Sequence, residues 1–96
     1  MMKRNDILEK LRELKPYLNE EYSVIEIGLF GSFASNNANE NSDIDLLVEL
    51  EKPIGWKFFS LEIYLEEVFG RKIDLVTKNA LRERLKDNIL NNVSYV

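Results

Sequence analysis

Apolar residues recur along this chain with two different periods, and the change from one to the other marks its elements. Between Asp6 and Leu14 the positions Ile7, Leu8, Leu11 and Leu14 fall at helical spacing, with Lys10, Arg12 and Glu13 between them. That pattern predicts a surface helix with one buried stripe. Asn5 is the expected N-cap, and Pro16 is expected to end or kink the helix near Lys15, with Tyr17 to Glu21 adding a further turn. From Tyr22 to Phe30 the period shortens to two, with Ile25, Ile27 and Leu29 on one face and Glu26, Gly28 and Phe30 on the other. The alternation returns at Asp43 to Glu49, where Ile44, Leu46 and Val48 oppose Asp43, Asp45, Leu47 and Glu49. It returns again at Lys72 to Val76, where Ile73 and Leu75 oppose Lys72, Asp74 and Val76.

The connections carry their own signals. Ser32 to Ser42 reads as a short helix followed by a polar loop, Asn36-Asn37-Ala38-Asn39-Glu40-Asn41. Glu51-Lys52-Pro53-Ile54-Gly55 breaks the chain before a helix from Trp56 to Phe69, whose core stripe is Phe58, Leu61, Leu65 and Val68. Trp56, Phe59 and Ile63 lie off that stripe, either as a contact surface or folded into the domain's own edge. Glu62, Glu66 and Glu67 form an acidic, solvated face. Gly70 suits the C′ position of this helix, with Arg71 and Lys72 near its negative end. Thr77 or Asn79 can cap a last helix from Ala80 to about Leu90, with Leu81, Leu85 and Ile89 on its buried stripe.

The expected fold class is therefore α/β in the α+β sense, with element order α-β-α-β-α-β-α and a three-stranded mixed sheet covered by helices on one face. Ser32 lies at the end of the first strand and Asp43 at the start of the second, so those two strands meet at one site only if they run antiparallel. Asp45 and Asp74 both lie near strand starts and are joined through a helix, which predicts a parallel pair and the order 1-2-3. All three purely aliphatic faces then point to one side. The three aspartates share the other.

Composition narrows the chemistry. With 96 residues the chain is one domain, spanning 1–96, and a domain of this size buries only about 60–65% of its unfolded surface. A partner or second copy, giving a homo-oligomer, would therefore add useful burial. There is no Cys and no His, which excludes disulfides, thiolate zinc sites and Ser-His triads. Any catalytic metal must be an oxygen-liganded one such as Mg²⁺. The charged start, Met1-Met2-Lys3-Arg4-Asn5-Asp6, and the lack of a membrane-length apolar run predict a cytoplasmic protein with no membrane partner. The net charge of −4 removes the electrostatic footprint of a nucleic-acid binder, while a small nucleotide carried with its Mg²⁺ remains compatible.

The chemistry-bearing residues are Gly31-Ser32, Asp43-Ile44-Asp45 and Asp74. Asp43 and Asp45 are two apart on a strand, so both side chains face the same way. Asp74 adds a carboxylate from a neighbouring strand. Three converging carboxylates suit two Mg²⁺ ions about 3.5–4 Å apart, the arrangement of in-line phosphoryl displacement. Gly31 and Ser32 stand at a strand-to-helix turn whose free N–H groups and hydroxyl can meet phosphate oxygens. Ser42 can hydrogen-bond a carboxylate or simply finish the loop. Each piece alone is common; their conjunction is what a metal-assisted nucleotidyl transfer from a nucleoside triphosphate needs.

Gly31-Ser32, ten intervening residues, then Asp43-Ile44-Asp45 resembles the signature of the polymerase-beta-like nucleotidyltransferase superfamily. Leu29-Phe30-Gly31-Ser32-Phe33-Ala34 with Ser42-Asp43-Ile44-Asp45-Leu46 looks like its minimal branch, the MNT domain, often the antitoxin partner of a HEPN ribonuclease. The likeness extends through Gly70-Arg71-Lys72-Ile73-Asp74-Leu75-Val76-Thr77. The resemblance implies a palm-like fold, ATP as donor, Mg²⁺ held by Asp43, Asp45 and Asp74, and a protein hydroxyl as acceptor, typically a Tyr of a HEPN-type toxin. Members of the family commonly carry Ala-Arg-Gly-Glu-Ala where this chain reads Ala34-Ser35-Asn36-Asn37-Ala38. The missing Arg removes a phosphate partner, and the missing Glu removes a polar organiser of the loop.

Two rival readings stand beside the enzyme. One is an inactive fold that neutralises a partner by binding it through Trp56, Phe59 and the basic stretch of Lys78, Arg82, Arg84 and Lys86. The other is transfer to a small molecule, which needs an acceptor-binding surface from a second copy.

Overall fold

The computed structural model describes residues 2–80 and 92–96. Its elements are α1 (Arg4–Tyr22), β1 (Val24–Phe30), α2 (Gly31–Ala34), β2 (Ile44–Leu50), α3 (Lys57–Phe69), β3 (Ile73–Thr77) and β4 (Ser94–Tyr95). The helix expected from Ala80 to about Leu90 lies almost wholly outside the described residues. At its start the Thr77 hydroxyl accepts the Ala80 N–H at 3.2 Å, so Thr77 rather than Asn79 is the capping side chain.

Helix α1 begins two residues earlier than the apolar spacing indicates and does not stop at Pro16. Its N-cap is Lys3, not Asn5, and the Asp6 carboxylate accepts the Lys3 N–H at 2.9 Å, placing negative charge in the first turn. Pro16 removes one backbone donor, but Leu18 and Tyr22 continue the buried stripe of Ile7, Leu8 and Leu11, and their burial carries the helix through. The chain leaves it at Ser23, in the left-handed region at φ 59°, with its N–H on the Asn19 carbonyl.

β1 and β2 pair antiparallel, with Phe30 opposite Asp45, and β2 and β3 pair parallel, with Asp45 opposite Asp74, as the position of the aspartates required. Two features depart from the expected strands. A register shift between Val24 and Glu26 turns Ile25 outward, 46% exposed, and gives its place in the core to Val24. The sheet also has four strands, in the order β3-β2-β1-β4, because residues 94–95 add antiparallel to β1 opposite Gly28 and Leu29. The three-stranded expectation fails because β4 is too short to show an alternating pattern.

Helices α1 and α3 cover one face of the sheet. There Ile7, Leu11, Leu18, Leu61 and Leu65 pack with Ile27, Leu29, Ile44, Leu46 and Ile73 in one fully buried layer. On α3 the inward residues are Leu61, Leu65 and Phe69, with Phe58 and Val68 at the margin. Gly70 ends the helix at φ 62°, its N–H on the Glu66 carbonyl at 2.8 Å. Glu66 is not merely solvated: its carboxylate accepts the Ile73 N–H at 3.2 Å and so starts β3. The opposite face carries a small apolar patch of Phe30, Leu47 and Val76 with Val93 against it, and beyond that patch lie the aspartates.

At the far end of that face the carboxylates of Glu26 and Glu49 stand on paired positions, and Lys78 bridges them at 3.0 and 4.0 Å while lying over the Tyr95 ring. Of the basic residues singled out near the last helix, Lys78 thus has structural partners, and Arg82, Arg84 and Lys86 lie outside the described residues. Among the described residues no helix is long and apolar enough to cross a membrane.

Gly28 is where β4 approaches β1 most closely: a Cβ there would sit 2.5 Å from the Val93 side chain and 2.9 Å from Tyr95. Gly28→Val should therefore dislodge β4 and destabilise the domain by about 1–3 kcal/mol, the usual cost of overpacking. Urea unfolding of the variant against wild type reads the loss directly.

Candidate active site

The site is assembled at the end of the sheet where β1 finishes and β2 and β3 begin. Gly31 follows the last residue of β1 with φ +72°, a conformation that L side chains rarely adopt. A second constraint acts on the same atom: a Cβ on Gly31 would overlap the Asp45 carboxylate. Glycine therefore lets the backbone of the turn lie directly against the central aspartate. Ser32 follows, half-buried in the first turn of α2, where a helix leaves backbone N–H groups without internal partners.

Asp45 is the middle of the site. It faces Phe30 on one side and Asp74 on the other. Burial, then the negative charges of Asp74 and Asp43, and then hydrogen bonding toward Asp74 push the Asp45 carboxyl up to about 6. Asp43 immediately precedes β2 and is half-buried, whereas Asp74 is exposed to solvent. Asp45 is thus within electrostatic reach of both other predicted carboxylates. The three are not drawn into a closed cage: among the described residues no three acidic side chains are grouped closely enough to hold a cation as they stand. The donor set of three carboxylates fits a hard, oxygen-seeking divalent cation.

Ser42 is occupied within its own loop. Its hydroxyl accepts the Asn39 N–H at 2.9 Å, and its N–H reaches back to the Asn39 carbonyl at 3.1 Å. Asn39 also accepts the Asn41 N–H, so the Asn-rich stretch makes a self-bonded turn that delivers the chain to Asp43. The hydroxyl proton of Ser42 stays available for a further acceptor. Ser35, where the resemblance leads one to expect Arg, hydrogen-bonds the Gly31 and Ser32 carbonyls and ends α2.

One side chain beside the site was not singled out by periodicity or motif. Arg71 reads in sequence only as positive charge at the negative end of α3. In the fold it turns toward the loop before Asp43 and donates to two of its carbonyls. Its position directly after the helix-ending Gly70, inside the stretch that leads to Asp74, is the signal the sequence carries.

A family model for the Nucleotidyltransferase domain matches residues 11–96. The chain belongs to that family, and it is a nucleotidyltransferase. Its relatives are of the minimal, single-domain kind. Protein adenylyltransferase MntA of Thermococcus cleftensis is 40% identical over 97 residues, with 100% of this chain and 98% of that protein covered. A protein of Methanocaldococcus jannaschii, named provisionally as a protein adenylyltransferase, is 45% identical over 94 residues, covering 96% of each chain. Among solved structures, one described provisionally as a minimal nucleotidyltransferase superposes with a TM-score of 0.75 at 29% identity, over 99% of this chain and 95% of that one. A toxin-antitoxin structure with AMP-PNP matches with a TM-score of 0.57 at 26% identity, over 79% of this chain and 57% of the other.

The raised Asp45 carboxyl has a direct consequence for stability without cation. Its folded-state value of about 6 lies above its ordinary 3.8, so ionising it disfavours the fold. The penalty is absent below about pH 4, grows between 4 and 6, and is complete above 6. Asp45→Asn should therefore raise the melting temperature of the metal-free protein at pH 7 and leave it nearly unchanged at pH 3.5. Thermal melts across that range check both ends.

Proposed function

We propose that this chain transfers AMP from ATP, with Mg²⁺, to the hydroxyl of a partner protein, and that the acceptor is a Tyr of a HEPN-type toxin which the transfer silences. The observation that carries the reading is the pairing of Asp45 with Asp74, with Asp43 beside it, set against a glycine turn whose backbone lies directly on the Asp45 carboxylate. Relatives named as protein adenylyltransferases at 40% identity and above support the donor and the acceptor class, and the similar toxin-antitoxin structure with AMP-PNP supports a nucleotide and a toxin partner.

In this reading Asp43 and Asp45 hold two Mg²⁺ ions and Asp74 completes one of their sites. The bound cations neutralise the phosphates and the crowded carboxylates. The backbone N–H groups of Gly31 and Ser32, with the Ser32 hydroxyl, hold the β- and γ-phosphates so that the α-phosphorus faces the acceptor. Ser42 supports this edge of the site through its free hydroxyl proton. Asp74, the most exposed of the three, takes the proton of the acceptor oxygen. That oxygen forms the new bond to the α-phosphorus as the bond to the bridging α–β oxygen breaks. Pyrophosphate leaves with the electron pair.

A second reading rests on α3. Trp56 is 84% exposed and stacks at 5.6 Å on Phe59, which is itself exposed together with Ile63. The structure thus leaves these rings uncovered by the domain's own edge. A chain that neutralises a partner by docking alone would use that stripe.

Incubation with α-labelled ATP and Mg²⁺ in host lysate separates the two. Wild type should label one protein, and Asp43→Asn should reduce the label at least about a hundred-fold, the scale of removing one preorganised charge contact. Asp74→Asn should lower kcat while leaving KM for ATP within a few-fold. A partner that co-purifies unmodified with both wild type and Asp43→Asn would support docking alone.

A further inference from the structure

Arg71 stands in the turn between α3 and β3, three residues before Asp74, and reaches both other parts of the site. Its Nη1 donates to the Glu40 carbonyl at 2.9 Å and to the Ser42 carbonyl at 2.8 Å. Its guanidinium lies over the Phe33 ring, with the central carbon 5.2 Å from the ring centroid. The Ser42 carbonyl belongs to the peptide unit that carries the Asp43 N–H, so fixing it fixes the plane from which Asp43 departs. Phe33 directly follows Ser32 and is almost fully buried, so it cannot move without moving the first turn of α2.

We propose that Arg71 is a positioning residue that clamps the loop before Asp43 to the helix that follows Gly31-Ser32, and so holds the two halves of the site in one geometry. It needs no contact with nucleotide or cation to do so. The two halves are separated by ten residues in sequence. The loop is tied to α2 at its start, where the Asn37 N–H donates to the Ser32 carbonyl at 2.9 Å and the Asn37 amide to the Ser35 hydroxyl at 3.1 Å. Beyond Asn37 its internal bonds, Asn39 with Ser42 and Asn41 with Asn39, shape the turn without reaching back to α2. Arg71 holds that later part of the loop, residues 40–42, from a third element. The neighbouring Ile44 N–H to Lys72 carbonyl bond, at 3.0 Å, sets the base of the same clamp on the sheet.

Lysine cannot replace it. An ammonium keeps the charge and can donate to carbonyls, but it lacks the delocalised guanidinium that lies over Phe33 while one of its nitrogens holds both carbonyls. The catalytic part of the inference rests on the nucleotidyl transfer proposed above; the structural part does not.

The test uses Arg71→Lys, with Phe33→Leu as a second variant that removes only the stacked ring. Amide hydrogen exchange of the metal-free full chain should rise at least ten-fold at residues 33–35 and 40–44 in Arg71→Lys, with α1 unchanged, and Phe33→Leu should raise the same amides by less. In the labelled-ATP assay, at a temperature well below both melting points, kcat should fall ten-fold or more while KM for ATP moves less than three-fold. Exchange that is unchanged at those amides, or that rises equally in α1, overturns the inference. So does loosened exchange with full kcat. If wild type transfers no nucleotide, the proposed function fails, and the exchange pattern alone decides the clamp.

Discussion

The crowding of negative charge at Asp45 is the constraint from which the rest of the site follows. A carboxylate half removed from water beside two others is a poor arrangement for a fold that gains nothing from it. Register makes it unavoidable. Asp45 stands opposite Asp74 because β2 and β3 run parallel from the same starting level, and opposite Phe30 because β1 runs back against β2. Gly31 follows from the same pairing, since the residue after Phe30 must pass beside the Asp45 carboxylate and only a residue without a Cβ does so.

The two faces of the sheet divide the work accordingly. One is apolar throughout and buried under α1 and α3, which gives a chain of 96 residues most of its core. The other holds its apolar patch in the middle and its charges at both ends. Like charges meet at both ends, and they are treated differently. Glu26 and Glu49 have Lys78 between them, whereas Asp45 meets the negative charges of Asp74 and Asp43, and among the described residues no salt bridge reaches it.

Much of this was legible in the residues. Period-two alternation in β1, β2 and β3 located the sheet, and a spacing of two between Asp43 and Asp45 placed both on one face before any contact was known. Strand directions followed from asking where Ser32, Asp43 and Asp74 must meet. What escaped was whatever depends on a partner distant in sequence. The outward turn of Ile25 comes from a bulge that exists only against β2, and β4 is defined by its pairing with Gly28 and Leu29 rather than by any pattern of its own. Pro16 follows a local rule that the burial of Leu18 and Tyr22 overrides. Ser42 shows an oxygen to the sequence reader, but its first engagement is with Asn39, and Arg71 shows a charge whose work is done through geometry.

β4 has a consequence of a different kind. An uncovered β1 would present a row of unpaired amides and carbonyls, a template on which another strand could grow. Two residues cover the stretch nearest the site, the Val96 N–H extends the cover to the Ile27 carbonyl, and Arg4 and Lys15 of α1 hold the segment down through the Ser94 hydroxyl and the Val96 carbonyl. The opposite edge is β3, five residues long and carrying a charged aspartate. β4 thus shields the stretch of β1 nearest the site at little cost in chain length, which limits edge-to-edge pairing of one copy with another.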